Sequence, residues 1–189
     1  MKKLLIAAAV LLLLTGLATG VGAAEIKIGT LLSHTGPLKE FGPNIQNGAV
    51  LAAKQMGAAG FEIEMIHEDS ETSAIPATNA AKKLVDIDRV VAIIGALASG
   101  VTVPVAESVT CPNNVIMISP ASTSPLLTVL PADKDKDFLF RTCPSDALQG
   151  VVAGKLAATY NRTASVLYVN NPYGQGLAEE FKKSFEKMK

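Results

Sequence analysis

Val90-Val-Ala-Ile-Ile-Gly-Ala-Leu-Ala-Ser-Gly100 and Val115-Ile-Met-Ile-Ser-Pro-Ala-Ser-Thr-Ser-Pro125 share one layout, an apolar strand-length run that stops at a loop of small, hydroxyl-bearing residues. Open parallel α/β sheets bind their ligands in the crevice outside the carboxyl ends of the strands. There, hydroxyls and the unpaired N–H groups of helix starts converge. The two stretches predict such a crevice, one suited to holding a solute rather than to breaking a bond.

Working outward, the chain alternates strands and helices. Residues 25–32 read as a strand, 44–56 as a helix with Ile45, Ala49, Ala52, Ala53 and Met56 at helical spacing, and 61–67 as a strand. In that last strand Phe61, Ile63 and Met65 share one face and Glu62 and Glu64 the other, the pattern of a strand near a sheet edge. A helix over 73–86, strand 90–94, helix 102–109 and strand 115–119 follow. After the charged loop 126–137 come strand 138–142, a helix over 147–160 expected to bury Leu148, Val151, Val152 and Leu156, and a strand over 164–169. A turn over 170–176 opens a last helix with Leu177, Phe181, Phe185 and Met188 on one stripe. Asp146 is expected to cap the 147–160 helix, with Gln149 reaching back. The alternation implies an α/β fold: a doubly wound parallel sheet with right-handed crossovers. One strand and two helices at the end cannot bury the Phe181/Phe185 stripe, so the chain reads as a fragment, one complete lobe plus the start of a second.

Met1-Lys2-Lys3, the uncharged run 4–14 and the small residues up to Ala24 form the three-part layout of a cleaved secretory signal peptide. As a helix the run reaches only about 16 Å, against about 30 Å of bilayer hydrocarbon. The 17 basic and 17 acidic residues balance, and loss of Lys2 and Lys3 leaves the remainder acidic by two. No basic face with interleaved aromatic residues exists to hold nucleic acid. Cys111 precedes one strand and Cys143 follows a neighbouring one. An even cysteine count in an exported chain favours a bridge. A parallel sheet, however, sets the two about 15 Å apart, against the roughly 7 Å Cα limit of a disulfide, which weighs against their pairing.

The chain resembles the extracytoplasmic solute-binding proteins of the branched-chain amino-acid type, the type I periplasmic binding proteins that serve ATP-driven importers. The likeness rests on Ile26-Lys-Ile-Gly with Thr35-Gly-Pro37 and Phe41-Gly-Pro43, Ala92-Ile-Ile-Gly95 with Ser99-Gly100, and Ile118-Ser-Pro-Ala-Ser-Thr-Ser-Pro125. Phe140-Arg-Thr with Ser145-Asp146 and Gln149-Gly150, and Tyr173-Gly-Gln-Gly176, complete it. It implies a signal peptide over 1–24, an N-terminal ligand-binding lobe over 25–143, the start of a second lobe over 144–189, and hinge closure around ligand. It also implies a periplasmic protein that takes an amino acid or related small carboxylate to an ABC permease in the inner membrane. No cofactor, metal or nucleic acid is implied.

Carried over position by position, Ser99 and Thr123 would hold the ligand carboxylate with the amides of the Ser99-Gly100 turn. The Ala121 carbonyl and Thr123 hydroxyl would accept from an α-ammonium. Phe41 would form a wall where relatives often carry Tyr, and Tyr173 would approach from the second lobe. Ser122 joins these as a candidate contact, although Ser119 and Ser122 equally suit the satisfaction of turn amides, and Ser99 equally suits a helix cap. His67, beside Glu68 and Asp69, reads as a surface residue. Two alternatives use the same fold: the sensing domain of a receptor or regulator, and a hydrolase. Against the hydrolase, the sequence holds no Gly-x-Ser-x-Gly elbow, Walker loop or zinc-spaced His/Cys set, and Ser33-His34 has no evident orienting acid.

Overall fold

The computed structural model describes residues 25–160 and 162–188; the leader assigned to 1–24 lies outside them. Five strands, β1 (Ile26–Leu32), β2 (Ile63–Asp69), β3 (Ala92–Gly95), β4 (Ile116–Ser119) and β5 (Leu139–Arg141), form one sheet in the order β2-β1-β3-β4-β5. Every pairing is parallel. The order reverses between β1 and β3, so right-handed crossovers put α1 (Gly42–Ala58) on one face and α2 (Ala74–Lys82) and α3 (Ser99–Val105) on the other. β2 sits at the sheet edge, as its one-sided polarity requires.

The register turns alternate residues to opposite faces. Ile93, Met117 and Leu139 stand side by side and are buried with Leu31, Ala77, Ala81, Leu84, Val105 and Val109 in the core beneath α2 and α3. Ile116 and Phe140 point the other way and remain 39% and 46% exposed. Both α2 and α3 end in a single π-helical turn, Lys83–Ile87 and Ala106–Thr110. α3 begins at Ser99, three residues before the start expected from its apolar spacing.

The C-terminal portion departs from expectation. No strand forms over 164–169: the segment is irregular and Leu167 is fully exposed, because none of the described strands lies beside it to supply ladder partners. α4 (Asp146–Tyr160) leaves Leu148, Val152 and Leu156 exposed and buries Gly150 and Gly154 instead. Its neighbour α5 (Pro172–Lys187) presses on that glycine face, where a Cβ on Gly154 would lie 2.6 Å from the Phe181 carbonyl oxygen and 2.8 Å from Ser184 Cβ. The missing side chains admit a second helix more closely than the apolar stripe does. Phe181 and Phe185 of α5 stack with ring centroids 5.8 Å apart. Among the described residues no helix is long and apolar enough to cross a membrane.

Candidate functional site

The carboxyl ends of β1, β3 and β4 open into a cleft of about 760 Å3. Its lining comes from five places: the loop after β1 and the start of α1 (Pro37, Leu38, Phe41, Ile45), the loop and helix start after β2 (Thr72, Ala74), the loop and helix start after β3 (Leu97 to Val101), the loop after β4 (Ala121, Thr123), and the approach to α5 (Val169, Asn171, Tyr173). It lies where the strand order reverses, as the general rule for open α/β sheets anticipates.

Hydroxyls weld the β3 and β4 loops together beneath the cleft. Ser119 Oγ donates to the Ala96 carbonyl at 2.5 Å and accepts the Ser122 amide at 2.9 Å. Ser122 Oγ lies 2.7 Å from Thr102 Oγ1 and donates to the Leu97 carbonyl at 3.1 Å. Ser122 is therefore wholly buried, and it is absent from the lining. The other six residues singled out in the sequence, Phe41, Ser99, Gly100, Ala121, Thr123 and Tyr173, stand around the one cleft.

Ser99 is the first residue of α3 rather than its cap, a place taken by Ala98 without a side-chain bond. Its Oγ accepts the Ser124 amide at 3.2 Å, leaving the hydroxyl proton for the cleft. The first amides of a helix have no intrahelical acceptor, so Ser99 and Gly100 present N–H groups to the same space. Thr123 is polarised oppositely, its hydroxyl donating to Asp146 Oδ2 at 2.6 Å while its carbonyl accepts the Asp146 amide at 2.8 Å. Arg141 braces this loop from below, donating to the Ser124 carbonyl at 2.7 Å and to Thr128 Oγ1 at 2.6 Å. The cleft thus sets donors beside acceptors at one end. Pro37, Leu38, Phe41, Ile45 and Leu97 make the remaining wall apolar.

Asp146 departs from the role expected of it. It does not cap α4; Ser145 Oγ instead accepts the Ala147 amide at 3.3 Å, and the Asp146 side chain, 2% exposed, is committed to Thr123. The Ser33 hydroxyl is buried and paired with Ser70 Oγ at 3.0 Å, while the His34 amide binds Asp69 at 2.9 Å.

The family profile described as periplasmic binding protein matches residues 25–189. The chain belongs to that family. Among curated relatives, an amino acid binding protein of Pseudomonas aeruginosa is 32% identical over 171 residues, covering 87% of this chain and 44% of its own length. A Leu/Ile/Val-binding protein homolog of Brucella abortus is 33% identical over 175 residues, covering 89% and 46%. The chain therefore spans less than half the length of these curated relatives. Of solved structures, the leucine-binding protein LivK of Thermotoga maritima superposes with a TM-score of 0.72 at 30% identity, over 86% of this chain and 46% of that one. LivJ of Streptococcus pneumoniae, a branched-chain amino acid transporter substrate-binding protein solved with isoleucine, gives 0.67 at 25% identity, over 86% and 47%. A solute-binding protein of Rhodopseudomonas palustris solved with 3,4-dihydroxybenzoic acid gives 0.71 at 22% identity, over 87% and 44%, which establishes shared fold alone.

In this periplasmic binding protein chain, the strand-end loops carry a signal readable in the sequence and, Phe41 apart, the apolar lining does not. Leu97, Ala98, Ile45 and Val169 line the cleft with side chains indistinguishable in sequence from core residues. Asp146 reads as a cap because an acidic residue at a helix start ordinarily is one.

Proposed function

We propose that the chain belongs to an extracytoplasmic receptor that captures an α-amino acid with an apolar side chain and hands it to an ABC importer in the inner membrane. The observation that carries this reading is the pairing, at one end of one cleft, of a proton donor (Ser99 with the α3 amides) and an acceptor set (the Thr123 hydroxyl oxygen and the Ala121 carbonyl). A carboxylate fits the donors and an adjacent ammonium fits the acceptors, so a zwitterion satisfies the whole polar end without a buried Lys or Arg. The wall built from Pro37, Leu38, Phe41 and Ile45 suits an aliphatic side chain. Relatives named for leucine, isoleucine and valine binding support the same class.

Thermal-shift titration of the chain with leucine, alanine, glutamate and benzoate tests the reading. Ligand at about 100 times its Kd adds roughly 2.7 kcal/mol, several degrees of Tm for a protein of this size. A shift with leucine that exceeds those with glutamate and benzoate is expected. A larger shift with benzoate than with leucine would overturn the amino-acid assignment.

A further inference from the structure

Asp69 ends β2 beside Leu32 of β1, and no part of it lines the cleft. Its carboxylate nevertheless gathers four donors from two loops. Oδ1 accepts the amides of His34 at 2.9 Å, Thr35 at 3.3 Å and Glu71 at 2.8 Å, and Oδ2 accepts the Thr35 hydroxyl at 2.7 Å. Burial acts to raise its pKa, but the bonds from Thr35, Glu71 and His34 prevail and hold the carboxyl below its ordinary range.

The same two loops are stitched at other points. Thr72 Oγ1 donates to the Thr35 carbonyl at 3.3 Å and accepts the Leu38 amide at 3.2 Å, and Ser33 pairs with Ser70. Gly36, at φ +77°, lies so close to the Glu71 carbonyl that a Cβ would collide with it. Loops 33–41 and 70–73 are therefore one body, and this body delivers Pro37, Leu38, Phe41 and Thr72 to the cleft. None of these bonds reaches Ser99, Ala121 or Thr123, whose loops are braced by Ser119, Ser122, Asp146 and Arg141 instead. The polar end and the Pro37, Leu38 and Phe41 side of the apolar wall are fixed by separate networks; Leu97, held by Ser122, belongs to the first.

We propose that Asp69 is a positioning residue that fixes the apolar wall, and that through it the site discriminates among ligand side chains without affecting capture of the ligand's charged groups. The discrimination half rests on the amino-acid reading above; the wall half does not. D69N removes the charge that strengthens all four bonds and turns the Thr35 hydroxyl from donor to acceptor of an NH2 group, and T35V removes that hydroxyl altogether.

The test uses D69N, T35V and T35S in the full chain, with amide hydrogen exchange and calorimetric titration of leucine and alanine. In D69N and T35V, amides of 33–41 and 70–73 should exchange at least about tenfold faster, the loss expected for one hydrogen bond to a charged group, while those of 95–101 and 119–124 hold. Leucine affinity should fall about tenfold toward that of alanine, alanine affinity should hold, and T35S should restore both. Equal loss for leucine and alanine, faster exchange in both networks, or unchanged exchange in 33–41 would each overturn the proposal. Binding of benzoate but of neither amino acid by the wild-type chain would overturn the amino-acid reading, and the exchange pattern alone would then decide whether Asp69 fixes the wall. Should D69N fail to fold, the contrast between T35V and T35S decides the same question.

Discussion

The Thr123 hydroxyl donates its one proton to Asp146 Oδ2 at 2.6 Å, so only oxygen lone pairs of Thr123 face the cleft. Ser99, whose Oγ already accepts from the Ser124 amide, keeps its proton to donate to a further partner. Two hydroxyls of nearly equal chemistry thereby acquire opposite roles through their hidden partners.

This polarity predicts different losses for T123V and S99A. T123V removes an acceptor for a cationic group and should weaken leucine binding by about 1.5–3 kcal/mol, while leaving 4-methylpentanoate, which is leucine without its amino group, nearly unaffected. S99A removes a donor to the carboxylate and should weaken both by a similar amount. Isothermal titration of both solutes against both variants distinguishes the cases. Equal loss of the two solutes in T123V would place Thr123 at the carboxylate instead.

The contact between α4 and α5 predicts an inverted pattern of tolerance. Gly154 sits against the Phe181 carbonyl and Ser184, and Ser184 Oγ donates to the Val151 carbonyl at 2.8 Å. G154V must push the helices apart and should cost about 1–3 kcal/mol, the usual range for overpacking. L148S alters a side chain that is 68% exposed and should stay within about 0.5 kcal/mol. Urea unfolding midpoints measure both.

The contrast at α4 also shows where the sequence misleads. Leu148, Val152 and Leu156 repeat at helical spacing and read as a core stripe, yet burial depends on what lies opposite, and α5 docks on the glycines. The strand expected over 164–169 is absent for a related reason: an apolar run has strand character in itself, but a strand exists only where a neighbour supplies ladder partners. The five described strands are legible because each run is flanked by turn residues and each finds a parallel neighbour among the others. Within the site, Ser99 and Thr123 are visible as hydroxyls at strand ends. Their opposite polarity is not, because it is set by Ser124 and Asp146 through tertiary contacts.

The two thiols should behave unequally. Both cysteines are free. Burial, reinforced by the Asp133 carboxylate, pushes the Cys111 thiol up to about 11, and the side chain is fully enclosed. Burial also raises Cys143, with Arg141 opposing, but that residue is only half-buried. At pH 8, Ellman's reagent should therefore titrate one thiol slowly in the native protein and the second only on unfolding, since the thiolate is the reacting species. C143S should abolish the native reaction, whereas C111S should leave it in place.

His67 predicts a modest loss of stability in mild acid. It lies on the edge strand β2, and its Nδ1 sits 2.7 Å from Oγ1 of the fully buried Thr30. The residue is exposed overall, but partial desolvation of its ring against Thr30 lowers its pKa, and the charge of His34 lowers it further. The unfolded chain then binds this proton more readily than the native one as pH drops below the ordinary histidine value of about 6.5, and stability must fall over that interval. The decline ends once pH passes below the lowered native value, where both states are protonated. Asp69 adds a second decline at lower pH, because the stability from its depressed native pKa is full above the ordinary carboxylate range and is lost as pH falls through the native value. Urea midpoints at pH 7.5 and 5.5 should therefore differ in the wild type. In H67N, whose amide retains a polar partner for Thr30 without titrating, the two midpoints should draw together. An H67N protein with the full wild-type slope between those pH values would assign the acid sensitivity to another group.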